Sequence, residues 1–313
     1  MCGAGIKCLF AAGWAFRHFE KVVMKILRFA WRYFCALASM LYVFSVGFIF
    51  ARNRGLILHI CEHFGVAGMR KSPVPEQPIP LLPALAPSQL LSKGVPIRIL
   101  EPAPADGNIS LYELIIIVDL IQTLKPTRLL EIGTFDGRTT LNMAANSSPG
   151  AVVFTLDLPK DSLNSTLLPL APFDAKFIAN QAKGSKFADS EYQSKIVQLW
   201  GDSATFDFSP FVETMDFVFI DASHSYEYAL QDSRTALRLL RNQGGVVLWH
   251  DYDTPWWPGV TRALNDLFVQ GGAFGGLRHI EGTALAYLAL GGNPGESPST
   301  SNWAGVPGSA NKL

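Results

Sequence analysis

Cysteine is missing from most of this chain. Its 313 residues include only Cys2, Cys8, Cys35 and Cys61. Everything beyond residue 61 therefore has no internal disulfide, no thiolate metal site and no cysteine nucleophile. The four spacings form no zinc pattern. They read as free thiols in or near a membrane segment, with Cys2 and Cys8 open to palmitoylation. Charge is scarce too, at 17% of residues, with 26 Lys+Arg balancing 26 Asp+Glu. With 49% hydrophobic residues, this excludes a disordered chain, a collagen-like fibre and a strongly basic nucleic-acid binder. No internal repeat is present.

The zero net charge is a sum of unlike parts. Residues 1–72 hold ten Lys/Arg against Glu20 and Glu62, so they carry +8 and the rest of the chain −8. Within residues 1–32, Phe10, Trp14, Phe16, Val22, Val23, Leu27 and Trp31 interleave with Arg17, Lys21, Lys25 and Arg28, the pattern of a basic amphipathic leader at an anionic membrane surface. Residues 33–51 carry no charge and are bracketed by Arg32 and Arg52. At about 1.5 Å per helical residue they nearly cross a hydrocarbon core of roughly 30 Å, so they read as a membrane anchor. A transit peptide or a misassigned start remains the alternative. Residues 52–105 form a linker, and 73–104 hold nine of the twenty prolines, a semi-rigid spacer rather than a core element. Residues 291–313 read as a disordered tail.

Between them, residues 106–290 make one ordinary domain. Short apolar runs at 128–132, 152–156, 196–200, 217–220 and 246–249 predict strands buried on both faces, hence a parallel sheet. Helices are expected at 111–124, opened by the capping box Ser110-x-x-Glu113, and at 139–145, 226–241 and 260–269. Two short runs around Glu281-Gly282 predict a terminal antiparallel hairpin. This is a Rossmann-like, doubly wound α/β fold, with ligands at the carboxyl ends of the strands.

The strongest chemical signal is RLLEIGTFDGRTTLNMA at 128–144, in which a buried strand turns through Gly133 and Gly137 opens a helix. Such a turn brings a ligand close to a helix N-terminus. The G-x-x-x-G spacing departs from the G-x-G-x-x-G of dinucleotide sites, so nicotinamide and flavin cofactors lose ground. Asp157 follows the second strand, 24 residues after Gly133, where an acid can accept hydrogen bonds from both ribose hydroxyls.

EIGTFDGRTT, the TLDLP acid, WGDSA at 200–204, FVFIDASHSYEYALQD at 217–232 and GGVVLWHDY at 244–252 stand in order. Together they resemble class I S-adenosylmethionine-dependent methyltransferases, in the bacterial branch related to the catechol O-methyltransferase type. The resemblance covers residues 106–290. It implies that Glu131, Gly133, Thr134, Phe135 and Gly137 wrap the methionine end of S-adenosyl-L-methionine, that Asp157 holds the ribose, and that Asp202 and Ser203 border the adenine. Asp221 is placed facing the transferring methyl, as a metal ligand or a partner of the cofactor's amino group.

His224 stands where catechol-type enzymes carry a lysine base, and a histidine suits proton removal from a hydroxyl at neutral pH. His250-Asp251 ends the fifth strand, and Asp221 with Asp251 could hold a hard cation such as Mg²⁺. Catechol-type sites have Asn after this Asp, where this chain has Tyr252; Asp253 could substitute, or Asp251 could position His250. Trp256 and Trp257 are candidates for an aromatic acceptor wall or a dimer contact, and the insertion 159–195 for a lid. The expected activity is methyl transfer to a hydroxyl of a small molecule or a membrane-proximal glycan, with no nucleic-acid partner. The rivals are a metal-independent N-methyltransferase and a non-catalytic cofactor-binding membrane scaffold. Six basic residues before the anchor against four after it put the N-terminus in the cytoplasm. The cofactor instead puts the catalytic domain on the cytoplasmic side, and an in-plane anchor reconciles the two.

Overall fold

In the computed structural model the described residues are 77–291, apart from Lys93 and residues 181–184, together with Met24, Leu27 and residues 29–35, 37–38, 40–42 and 45. The chain divides into two units, Met1–Val74 and Pro75–Leu313. In the first, the described positions from Met24 to Tyr42 are helical, and the rings of Trp31 and Phe34 stack at 6.0 Å. Among the described residues no helix is long and apolar enough to cross a membrane. Much of the expected leader and anchor, the start of the linker and the tail after residue 291 lie outside the described residues.

The second unit is built on one sheet of eight strands. They are β1 (Ala84–Leu85), β2 (Arg128–Ile132), β3 (Val152–Asp157), β4 (Ile196–Trp200), β5 (Phe217–Ile220), β6 (Gly245–Trp249), β7 (Arg278–Ile280) and β8 (Ala286–Leu290), in the spatial order β1-β7-β8-β6-β5-β2-β3-β4. Only β8 runs antiparallel, against β6 on one side and β7 on the other. Among the described residues five α-helices accompany the sheet: α1 (Leu111–Leu124), α2 (Arg138–Asn146), α3 (Asp174–Asn180), α4 (Tyr226–Leu239) and α5 (Pro258–Gln270). The parallel, doubly wound sheet with a terminal antiparallel pair is the architecture the apolar runs predict.

Strand alternation sorts the core into two layers. Leu129, Val153, Phe217 and Phe219 face α1 and α2, meeting Leu114, Ile117, Ile121 and Met143. Their neighbours Leu130, Val218 and Val247 face the other way, onto Ala229 and Ala236 of α4 and Leu264 and Leu267 of α5. The chain runs outward from β2 through β3 to β4, then returns to lay β5 on the other side of β2. That reversal leaves a crevice at the carboxyl ends of β2 and β5.

The proline-rich segment is not a free spacer. Leu82 is buried, and β1 pairs in parallel with β7 through Ala84–His279 and Leu85–Ile280. Tyr252 Oη accepts from the backbone N–H of Leu81 and Leu82 at 2.9 and 3.0 Å, and Asn265 Nδ2 donates to the Ile79 carbonyl. Further on, Asn142 and Asn146 of α2 act as a surrogate strand. Asn142 accepts from Leu100 N–H at 2.8 Å and donates to its carbonyl at 2.9 Å; Asn146 does the same for Arg98, both bonds at 2.7 Å. The spacings match: two extended residues advance roughly 6.6 Å and four helical residues about 6 Å. Proline removes donors from this segment, but the donors that remain find partners far away in sequence.

Asn142 is fully buried, so Asn142→Ala would leave both Leu100 groups without their partner. The expected cost is about 2 kcal/mol in urea denaturation, with faster native-state tryptic cleavage after Arg98. An unchanged midpoint and cleavage rate would contradict the surrogate-strand reading.

Candidate active site

A cavity of about 510 Å³ opens at the carboxyl ends of β2 to β6. Its wall takes Gly133 and Phe135 after β2, Asp157 and Leu158 after β3, Gly201 to Ser203 after β4, Asp221 to His224 after β5, and His250 with Asp251 after β6. Gly133 sits at φ +104°, and a Cβ there would lie 1.9 Å from the Asp221 carbonyl oxygen. Glycine is what lets β2 and β5 stay adjacent at the crevice. Phe135 and Asp251 also have positive φ, 50° and 64°, a strained geometry that tends to gather at functional sites.

Asp157 and Asp202 line the cavity. Asp157 accepts from the backbone N–H of Phe135 at 2.9 Å and of Leu158 at 2.8 Å, which ties the β2 turn to the β3 terminus. Asp202 accepts from Ala204 N–H, Leu167 N–H and the Tyr228 hydroxyl, at 2.9, 2.8 and 2.8 Å. Burial, together with the hydrogen bond to Asp202, raises the Tyr228 phenol well above its ordinary pKa.

Asp174, Asp221, Asp251, His224 and His250 also line the cavity, and Glu113, outside the lining, joins them through His250. His224 Nδ1 lies 2.6 Å from Asp174 and Nε2 2.8 Å from Asp251. His250 Nδ1 lies 3.1 Å from Asp251 and 3.3 Å from Asp221, while its Nε2 lies 3.4 Å from Glu113. Burial by itself would favour the neutral ring of His224, but the hydrogen bonds to Asp174 and Asp251 outweigh it and push the pKa up to about 10. His250 is likewise raised, against burial, by the charges of Asp221 and Asp251. Burial would raise Glu113, yet its hydrogen bond to His250 and the charge of that ring hold it down at about 2. Asp251 is lowered by the same two histidines in spite of burial. Four carboxyl groups thus share two imidazoles, which makes the cluster acidic in composition.

The expected site residues separate by strand face. Gly133, Phe135, Asp157, Asp202, Ser203, Asp221, His224, His250 and Asp251 all reach the cavity wall, as do Trp256 and Trp257. Glu131, Thr134 and Gly137 do not. Glu131 shares its strand face with Leu129, toward α2, where it accepts from the hydroxyls of Thr140 and of Thr155, the latter at 2.7 Å. Burial pushes its pKa up to about 8, so it is a neutral acid behind the wall. Thr134 pairs with Thr155 at 2.6 Å, and Gly137 caps α2 at φ +84°. As a base, His224 has both nitrogens already engaged.

Two members of the cluster escaped the sequence motifs. Glu113 is the capping-box residue of α1: its carboxylate accepts from Ser110 N–H at 2.9 Å, but also from Ala284 N–H at 2.7 Å, which swings it toward His250. The box was legible and its second task was not. Asp174 begins α3 inside the insertion after β3, where no pattern marks it. Phe173 and Phe177, on either side of it, meet the Trp257 ring edge-on at 6.2 and 6.3 Å.

Asp221, His250 and Asp251 each offer a donor atom, all within 4.8 Å of one another. Two carboxylate oxygens and an imidazole are a set that a divalent cation could take in exchange for the His250 proton.

The pKa directions fix the sign of a pH effect. A histidine raised from 6.5 to about 10 stabilises the fold fully below pH 6.5 and loses that contribution as pH climbs toward 10. Glu113, lowered from 4.5 to about 2, stabilises above pH 4.5 and ceases to as pH falls through 2. Glu131, raised to about 8, loses its contribution as pH rises from 4.5, so the thermal midpoint should peak near pH 4.5 and decline on both sides, and His224→Gln should flatten the decline above pH 6.5. A midpoint insensitive to pH from 6.5 to 10 would contradict the charged His224.

Residues 130–252 match a family model described as a methyltransferase domain. Among curated proteins none matches the chain. Similar solved structures include the O-methyltransferase TomG of Streptomyces achromogenes, involved in tomaymycin synthesis and in complex with SAM. It is 21% identical, with 59% of this chain and 82% of that one covered and a TM-score of 0.42. An O-methyltransferase of Bacillus cereus in complex with SAH is 20% identical over the same shares, with a TM-score of 0.41. A putative O-methyltransferase of Klebsiella pneumoniae is 17% identical, again over 59% and 82%, with a TM-score of 0.40. Residues 130–252, which run from β2 past the His250-Asp251 pair, are thus similar to a methyltransferase domain.

Proposed function

We propose that this protein transfers a methyl group from S-adenosylmethionine to a hydroxyl oxygen of a small molecule or glycan. The observation that carries the reading is a single cavity lined by both Asp157 and an imidazole–carboxylate cluster. The residues fit the cofactor's chemistry. Ribose hydroxyls would donate to Asp157, and an acidic cluster in the same cavity would suit a sulfonium and an ammonium. Bound there, S-adenosylmethionine supplies a methyl group on a positively charged sulfur.

The protein's own part is alignment and proton handling. Phe135, Phe177 and Trp257 give the cavity aromatic walls, and Trp256, 73% exposed, stands at its mouth. Such walls favour a ring-bearing acceptor. His224 holds a proton between Nε2 and Asp251. A cation bound beside the cluster would lower the pKa of His224, and the neutral ring, its Nε2 proton released to solvent, would take the acceptor's proton. Asp251 is fixed between the two rings and keeps that nitrogen aimed.

Calorimetric titration of the full chain with S-adenosylhomocysteine should show saturable binding, weakened roughly tenfold or more in Asp157→Ala, which is about 1.4 kcal/mol. Absence of saturable binding, or an Asp157→Ala variant that binds as tightly as the parent, would overturn the reading.

A further inference from the structure

His224 is held from a direction that its own loop does not provide. Its Nδ1 is 2.6 Å from Oδ1 of Asp174, a residue fifty positions earlier, at the start of α3 in the segment between β3 and β4. We propose that Asp174 is a positioning residue for His224, an orienting carboxylate that accepts from Nδ1–H and so fixes the ring with Nε2 directed at Asp251. The inference rests on the methyl-transfer reading of the cavity and adds a residue to it.

Three observations support the assignment. Asp174 is nearly fully buried, and its other oxygen is fixed by donors that leave the carboxylate no freedom to turn. Oδ2 accepts from the Ser223 hydroxyl at 2.7 Å, from Ala171 N–H at 2.9 Å and from His224 N–H at 3.2 Å. With Oδ2 so occupied, Oδ1 is directed at the ring. A carboxylate offers only acceptors at neutral pH, so the bond to Nδ1 requires hydrogen on that nitrogen. The plane of the imidazole is set independently. Trp257 stacks on it with centroids 3.8 Å apart and planes 17° from parallel. Phe173 and Phe177 flank Asp174 and brace the same Trp257 edge-on. One short segment thus fixes the tautomer, through Asp174, and the stacking partner, through its two phenylalanines.

An Asp174 that merely began α3 would bond the backbone of Ala171 and leave the ring alone. The two roles separate by spectroscopy. Full-chain protein with ring ¹⁵N-labelled histidine, saturated with S-adenosylhomocysteine, should show a His224 Nδ1–H proton far downfield and slow to exchange, identified by its loss in His224→Gln. In Asp174→Asn, whose amide can donate to Nδ1, that resonance should disappear or move strongly upfield, while saturable S-adenosylhomocysteine binding is retained, weakened by no more than about tenfold as one carboxylate leaves the cluster. Ser223→Ala should leave the resonance in place. A parent protein with no such His224 resonance would overturn the proposal. So would an unchanged resonance in Asp174→Asn, or its loss together with cofactor binding. If the parent binds no S-adenosylhomocysteine yet keeps the Asp174-dependent signal, the pairing stands and the methyl-transfer reading falls.

Discussion

Four carboxylates converge on one end of the sheet with only two imidazoles between them, and the rest of the site is arranged around that imbalance. Glu113, Asp174, Asp221 and Asp251 come from a helix start, an insertion and two strand ends. Like charges at such short range repel, so the arrangement holds only while His224 and His250 remain protonated or other cations take their place. The same imbalance gives the cavity a preference for positive ligands. Fold and function therefore meet in one electrostatic constraint: the cluster is tolerable to the empty protein because of its histidines, and attractive to a cationic cofactor because two histidines are too few.

The residues that close the domain are interleaved with those that carry its chemistry. In the tripeptide 250–252, His250 and Asp251 enter the cluster while Tyr252 turns to the opposite side and accepts from Leu81 and Leu82. Asp251 makes that change of direction at φ 64°. The segment that holds the sheet edge through β1 is thus anchored beside the His250–Asp251 pair. Similarly, α2 is opened by the Gly137 turn and carries Asn142 and Asn146, which replace a missing strand for residues 98–100. Substitutions meant to test chemistry at 250–252 should be read with fold stability measured alongside.

Much of this was legible before the structure, for reasons that can be named. Strands buried on both faces leave apolar runs, so β2 to β6 declared themselves, and Ser110 with Glu113 marked the start of α1. Strand ends carry the ligands of a doubly wound sheet, and Asp157, Asp221, His224, His250 and Asp251 lie around one cavity. Side-chain direction was less legible. Glu131 lies in the most distinctive motif, but strand alternation turns it toward α2. The proline-rich segment announced only its lost donors, while its partners, Asn142, Asn146 and Tyr252, lie far along the chain. Asp174 sits in an insertion, and its task appears only once His224 is seen in three dimensions.

A crystal structure of the full chain with S-adenosylhomocysteine and Mg²⁺ tests the central claim most directly. The expected result is one ligand in the cavity, its ribose hydroxyls on Asp157 and its sulfur turned toward Asp221 and His224. A ligand seated with its ribose away from Asp157, or bound elsewhere while the acidic cluster stays closed upon its own histidines, would contradict the account.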